Sequence, residues 1–338
     1  VPIAPSSGNW FNAIAKQSAE GTVPTTAEYA FPLIGTQRVQ PVHDLGRVAM
    51  TDGNAIQADA YWQAGEYWNA GSGIPVAGFA DVAGRFLSGM WPTDTPSGTA
   101  PTRTHPFTGL GAAPAFWTMW SLPGGSLVLP ESMSKGICSG LTISFNENGD
   151  PLEFLVEAVG QVPAVVAAPT ITVTDSMQAG WFRVVGATLK FEEDSSTPVA
   201  HTNIQNVTLP IKRPVTPVKT ADGVNVGYLG LGIVNFDGFQ IEMVWEDWAA
   251  YRSSYYGAVG GSSASAVMVA GSIEINAVHT VEVSTLKFVI PKVSLVAVPP
   301  QPDPSGDTLT VTVTPEILKP ASGDHVQPTL VNNVTPAY

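Results

Sequence analysis

Apolar and polar positions alternate with period two along much of the chain, in short segments broken by Gly, Pro, Asn and Asp. LTISF (141–145), the turn-forming Asn146-Glu147-Asn148-Gly149-Asp150 and PLEFLVEAV (151–159) read as a hairpin. Asn-Gly tolerates the positive φ that tight hairpin turns need. ATLKF (187–191), GFQIEMVW (238–245), GSIEIN (271–276), HTVEVSTLKFVI (279–290) and DTLTVTVT (307–314) alternate in the same way. Each is too short and too rich in β-branched residues to prefer a helix. Two stretches have helical spacing instead. DVAGRFLSGM (81–90) opens on Asp81 as a candidate N-cap and clusters Val82, Phe86 and Leu87 on one face. EDWAAYRSSYY (246–256) carries Glu246 and Asp247 in its first turn, where they favour the macrodipole, with Trp248, Tyr251, Arg252 and Tyr255 on its packed face. Both read as helices lying on a sheet.

These elements recur. PVHDLGRVAMTDGNAI (41–56) and PVTPVKTADGVNV (214–226) each contain an Asp-Gly turn, Asp52-Gly53 and Asp222-Gly223, and a predicted helix and paired strands follow each. The near-constant offset of turn and helix predicts two copies of one β-rich unit. The organisation expected is an N-terminal entry segment 1–24, a first lobe 25–165, a linker 166–180 and a second lobe 181–338. The fold class expected is mainly β, with two tandem barrel or sandwich lobes, each flanked by one α-helix.

Composition narrows the function. The 338 residues carry 15 Lys+Arg against 28 Asp+Glu, a net charge of −13, with only 13% charged residues. That sign excludes a basic nucleic-acid footprint, and the low charge density excludes intrinsic disorder. The charge divides almost evenly: six cations less thirteen acids is −7 for 1–165, and nine less fifteen is −6 for the rest. A lone cysteine, Cys138, cannot build a disulfide framework or a thiolate zinc site. The first cation is Lys16, so no cationic stretch precedes an apolar one, which argues against an uncleaved signal peptide and leaves a cleaved one open. VPAVVAAP (162–169) is far short of the ~20 residues needed to span a bilayer. A soluble protein without a membrane partner is expected.

Catalytic patterns are missing. His43, His105, His201, His279 and His325 are scattered with no metal-focusing pair, and Cys138 reads as a small apolar filler. Gly227, Gly230 and Gly232 run into strand-like sequence rather than opening a helix, so the phosphate-binding mechanism fails. Pro151 stands where a calcium loop beginning at Asn146 needs glycine. Glu192, Glu193 and Asp194 read as a solvated turn. Asn206-Val207-Thr208 and Asn333-Val334-Thr335 have the glycosylation spacing, without a secretory context to use it. No enzyme, cofactor or metal is expected.

More informative are strand faces opposite the apolar ones. Glu153 and Glu157 share one face of 151–159, while Phe154 and Val156 take the other. Gln240 and Glu242 alternate with Ile241 and Met243; Ser272 and Glu274 with Ile273 and Ile275; Thr280, Glu282 and Ser284 with Val281 and Val283. A half-exposed strand looks like this in any protein. The sharper alternative is a sheet face lining something wet and anionic.

Several segments resemble the major tail tube protein of long, non-contractile-tailed bacteriophages. Trp10 to Leu33 is similar to the family's entry segment, with Gly-Thr-x-Pro ahead of a first strand. THPFTGLGAAPAFWTMWSL (104–122) is similar to its Thr-His-x-Phe stretch leading to an aromatic strand. SGLTISFNENGDPLEFLVEAVG (139–160) resembles its Leu-Thr-Ile hairpin, and QPTLVNNVTPAY (327–338) its closing strand. Cys138 departs from the pattern, where an acid would stand.

The resemblance implies stacked rings forming a channel for DNA, in the virion tail after assembly in the host cytoplasm. Three two-lobed chains would make a pseudo-sixfold ring, or six one-lobed chains a hexamer. It also implies tape measure, tail terminator and distal tail proteins as partners, and DNA in transit without specific binding. An acidic lumen repels duplex phosphates and lets them slide. The channel-lining residues expected are Glu153, Glu157, Glu242, Glu274 and Glu282. The inter-ring loops expected are the proline-bearing stretches, with Pro41, His43, Asp44 and Arg47 in one and Lys212, Arg213, Pro214 and Lys219 in the other. Trp62, Tyr67, Trp68, Trp91, Trp117 and Trp120 read equally as interface anchors or as core. Two other classes fit parts of the pattern: another β-sandwich virion or surface protein (decoration or adhesin), and a carbohydrate-binding or hydrolytic β-protein with Trp62, Glu66 and Trp68 as a sugar platform.

Overall fold

The computed structural model describes residues 11–32, 40–51, 57–69, 73–122, 130–146, 150–161, 164–173, 181–192, 199–201, 203–219, 226–244, 256, 270–279, 283–297, 309–334 and 337–338. The chain is mainly β. The strands β1 (Phe11–Lys16) and β2 (Thr26–Pro32) lead to a long hairpin of β3 (Gln40–Thr51) and β4 (Gln57–Asn69), then to β5 (Ile74–Ala77) and the helix α1 (Ala80–Met90). There follow β6 (Thr93–Asp94), β7 (Arg103–Thr108), β8 (Trp117–Leu122), β9 (Glu131–Asn146), β10 (Glu153–Gln161), β11 (Ala164–Val165) and β12 (Thr170–Val173). The second half holds β13 (Phe182–Glu192), β14 (Val199–His201), β15 (Ile204–Lys212), β16 (Val215–Lys219), β17 (Val226–Leu231), β18 (Gln240–Val244), β19 (Ala270–His279), β20 (Thr285–Ala297), β21 (Thr310–Ile317) and β22 (Gln327–Asn332).

Period-two patterning locates most of these strands because one face of each is packed. Along β10 the buried residues Phe154, Val156 and Ala158 alternate with half-exposed Glu153, Leu155 and Glu157. β10 pairs antiparallel with β9 (Glu153↔Ser144, Val156↔Leu141), which is the hairpin expected around Asn146–Asp150. The expected strand 279–290 is instead two. β19 ends at His279 and β20 begins at Thr285, and the two pair with each other, Val278 opposite Thr285. Alternation carried across a tight connection looks like one strand, because a period cannot register a reversal of direction.

Hairpins stand at both positions expected from the repeat. Thr51 faces Gln57 across the stretch that holds Asp52-Gly53, and Lys219 faces Val226 across the stretch that holds Asp222-Gly223. A helix follows the first hairpin; of the expected second helix only Tyr256 is described, in helical conformation, and residues 246–255 lie outside the described residues. The halves are not separate sheets, however. β9, from the first, pairs with β15, from the second, over Asn146↔Asn206 to Gly140↔Lys212. The ladder runs β5–β10–β9–β15–β18–β21–β20–β19–β13. The Phe182 N–H donates to the Gly78 carbonyl (2.9 Å) and its own carbonyl accepts from Leu152 N–H (2.8 Å), so the ladder curls back onto its first strands. β22 inserts between β7 and β20, a further tie between the halves. Within the expected linker, β12 pairs in parallel with β2.

A second layer contains β12–β2–β1–β8 and the first part of β9. β9 serves both layers by bending. Lys135 lies at φ 48, and at the next residue, Gly136, a Cβ would stand 2.6 Å from Met133 and 3.1 Å from the Trp117 carbonyl. The helix α1 is enclosed rather than laid on a surface. Ten of its eleven residues are buried and only Asp81 is half-exposed. Its N-cap is Phe79, without a side-chain cap, so Asp81 acts in the first turn and not as the cap. The physical reason is burial: β2, β7, β9 and β22 pack around the helix, so a polar cap is not needed to define it. One contiguous core runs from Ile14 and Phe31 through Phe86, Phe154 and Ile211 to Ile275, Phe288 and Leu330.

Candidate functional site

The outward face of the shared sheet is where the expected acids come together. Cross-strand pairing places Glu153, Ser144, Thr208 and Gln240 in one row over β10, β9, β15 and β18. The neighbouring row sets Asn206, Glu242 and Thr312 side by side on β15, β18 and β21. Asn206 Nδ2 donates to Glu242 Oε2 at 2.6 Å, so the first sequon asparagine is engaged within the sheet. Together these residues line a concavity of about 600 Å³, with Asp150 at its edge. Partial burial there pushes the Glu153 carboxyl upward from its ordinary value.

Glu157 and Glu274 also point outward but are neutralised. Glu157 lies over Gly140, where a Cβ would stand 2.8 Å from its Oε2, and Lys212 Nζ reaches its Oε1 at 3.7 Å. Lys287 Nζ pairs with Glu274 Oε2 at 2.8 Å. Reading acids alone missed these cations. The signal was present in TLKF, where Lys287 alternates with buried Leu286 and Phe288 and so shares the outward face. Glu282 lies outside the described residues, and the strand face proposed for Thr280, Glu282 and Ser284 falls where β19 gives way to β20.

The first proline-bearing arm is β3, whose Pro41, His43, Asp44 and Arg47 pair with Trp68, Glu66, Gly65 and Tyr61 of β4; their side chains, with those of Trp62 and Lys219, lie outside the description. The second arm differs from expectation at its base. Lys212 closes β15 beside Glu157, Pro214 is exposed, but Arg213 is buried. The Arg213 N–H donates to the Ser139 carbonyl (2.8 Å) and its Nη1 to the Ala112 carbonyl (2.9 Å). Arg213 thus fastens the β16–β17 hairpin to the body, and a local charge pattern cannot distinguish that from a solvated arm. Beyond it the hairpin is apolar and exposed at Val218, Tyr228 and Leu231, as is Ile233 just after it. Trp91, Trp117 and Trp120 are buried within the chain, so core packing, not interface anchoring, is their role.

Cys138 is fully buried, and burial pushes its thiol up to about 12. Tyr29 is likewise pushed up to about 12, chiefly by burial. Protonated forms of both are favoured in the folded chain relative to ordinary values of about 8.5 and 10. The fold therefore binds more protons than the unfolded chain in that alkaline range, and stability falls as pH rises through it. The melting temperature is expected to hold steady near neutrality and to decline from about pH 9 toward 12. Native protein should leave Cys138 unmodified by an aromatic disulfide reagent at pH 8, reacting only on unfolding; rapid native labelling would contradict its placement.

Among the described residues no group of three His, Cys, Asp or Glu is arranged to hold a metal, and no helix is long and apolar enough to cross a membrane. No protein-family model matches the chain, and no curated protein matches it in sequence.

Proposed function

We propose that the chain is a structural subunit of a tubular assembly of the phage tail tube type, a conduit for DNA with no catalytic role. The observation that carries this reading is the continuous ladder from β5 to β13, built from both halves, with an apolar face on the core and a polar, carboxylate-bearing face outward. A wall of this kind needs a wet sheet face toward the channel, and within the curled ladder the polar rows over β10, β9, β15, β18 and β21 supply it. The two hairpins, β3–β4 and β16–β17, supply arms at equivalent positions of the repeat, and exposed Tyr228 and Ile233 give the second an apolar surface for a neighbouring ring. In this reading each chain carries two fused units, three chains complete a pseudo-sixfold ring, and rings stack into an open-ended tube. Glu153 and Glu242 face the lumen, and Glu157 and Glu274, bound to lysines, contribute less repulsion. Tape measure, terminator and distal tail proteins are its partners in the virion tail.

Negative-stain microscopy of the purified chain tests it. Regular tubes with a central channel and threefold rotational symmetry are expected. Sixfold rings would remove the two-unit arrangement, and protein that stays monomeric at high concentration while binding glycans would favour the carbohydrate-binding alternative.

A further inference from the structure

The histidine of Thr104-His105-Pro106-Phe107 sits at a chemically unusual place. His105 is fully buried on β7. Its Nδ1 lies 2.8 Å from Asp94 Oδ2 and its Nε2 3.0 Å from the Val334 carbonyl oxygen. Asp94 Oδ2 also accepts the Tyr338 N–H at 3.0 Å. A carbonyl has no proton to give, so Nε2 must donate. With Asp94 ionised, its carboxylate has none either, and Nδ1 then donates as well. Neutral imidazole carries only one N–H.

We infer that His105 is a protonation-dependent latch: as an imidazolium it ties Asp94 of β6 to Val334 beyond β22, and loss of one ring proton opens one of those bonds and loosens the chain around Val334 and Tyr338. What the latch holds is well defined. The Tyr338 ring lies directly on α1, where a Cβ on Gly84 would stand 2.2 Å from it. Its hydroxyl accepts from Asn332 Nδ2 (2.7 Å), which also donates to the Ala80 carbonyl (3.0 Å). His105 meets the Tyr338 ring edge-on at 5.1 Å and stacks on Phe107 at 6.5 Å.

Other charged and titratable groups surround it. Lys16 of β1 donates through Nζ to the Tyr338 carbonyl at 3.1 Å. Arg85 of α1 pairs with Glu28 of β2 and lies over the Tyr29 and Tyr338 rings. Asp81 of α1 acts on Tyr338 through space, and Arg103 shares the β7 face with His105 two residues away. None of these supplies the proton that the two acceptors at His105 require. The latch belongs to the fold and is independent of the assembly proposed above.

Hydrogen exchange by mass spectrometry on the full chain tests it, following the peptide that ends at Tyr338 across a pH series and corrected for intrinsic exchange. Protection is expected to fall about tenfold as His105 loses its proton, the scale of one hydrogen bond to a charged group. Ring ¹⁵N spectra of histidine-labelled protein should show two protonated nitrogens before that fall and one after it. In Asp94→Asn the amide can donate to Nδ1, so a neutral His105 keeps its bond to Val334; the Tyr338 N–H loses its acceptor there, so protection should be lower overall but independent of pH. His105→Phe should lose the protection at every pH; if it fails to fold, Asp94→Asn carries the test. A neutral His105 throughout with constant protection in the unaltered protein, or an unchanged pH dependence in Asp94→Asn, would overturn the latch.

Discussion

Phe86→Ala is expected to be among the most damaging single truncations in the chain, costing about 4 kcal/mol. Phe86 is fully buried on α1 and its ring is the meeting point of the two layers. It packs edge-on against Phe31 of β2 at 5.3 Å, against Trp117 of β8 at 6.5 Å, and tilted against Phe154 of β10 at 6.1 Å. Those partners belong to three strands that cannot all move inward to fill a void, because each is fixed by its own ladder. Cavity and lost transfer energy therefore add. Phe86→Leu keeps most of the volume and should cost about 1.5 kcal/mol or less. Urea unfolding monitored by tryptophan fluorescence checks both, and similar midpoints for the Ala and Leu variants would show that the site collapses freely.

Gly89→Ala is expected to destabilise by about 3 kcal/mol, although alanine is the better helix former by about 1 kcal/mol. A Cβ at that position would stand 2.1 Å from Trp117 Cζ2 and 2.8 Å from Cys138 Cβ. The first is part of a rigid, fully buried ring and the second is anchored to the β9 backbone, so neither yields by a simple rotamer change. The steric term wins over propensity. A double-mutant cycle with Trp117→Phe isolates it: the smaller ring should relieve part of the clash, and the two changes together should cost less than their sum. Strict additivity would show that the helix shifts instead. Cys138 fits the same contact, since a larger acid at that position would press on the helix at Gly89.

Individual strands were largely legible in the sequence. Phe154, Val156, Ile241, Met243, Ile273 and Ile275 are buried where alternation placed them, and Glu153, Glu157, Glu242 and Glu274 are on the opposite faces. These assignments depend only on the two-residue period of a pleated strand. The Asp52-Gly53 and Asp222-Gly223 turns were read from turn chemistry, but the proline-bearing stretches around them were expected as loops and are paired strands, β3–β4 and β16–β17. Patterning failed where the deciding contact lay elsewhere in the chain. α1 looked amphipathic, yet four different strands enclose it, and even Arg85 and Ser88 are buried. Arg213 looked like an arm residue, and Ala112 and Ser139, each more than seventy positions away, bury it. His105 depends on Asp94 and on Val334, the latter 229 positions distant.

By itself, then, the sequence determined the mainly β character, the faces of the strands, the two Asp-Gly turns and the acidic balance, because alternation, turn residues and charge are local properties. The tertiary structure alone decided that the two halves share one sheet through β9 and β15, that lysines 212 and 287 mask two of the outward acids, and that β22 and Tyr338 close the core over α1. Strand partners are chosen by ladder hydrogen bonds and burial between residues far apart in the chain, and no local period encodes which edge meets which.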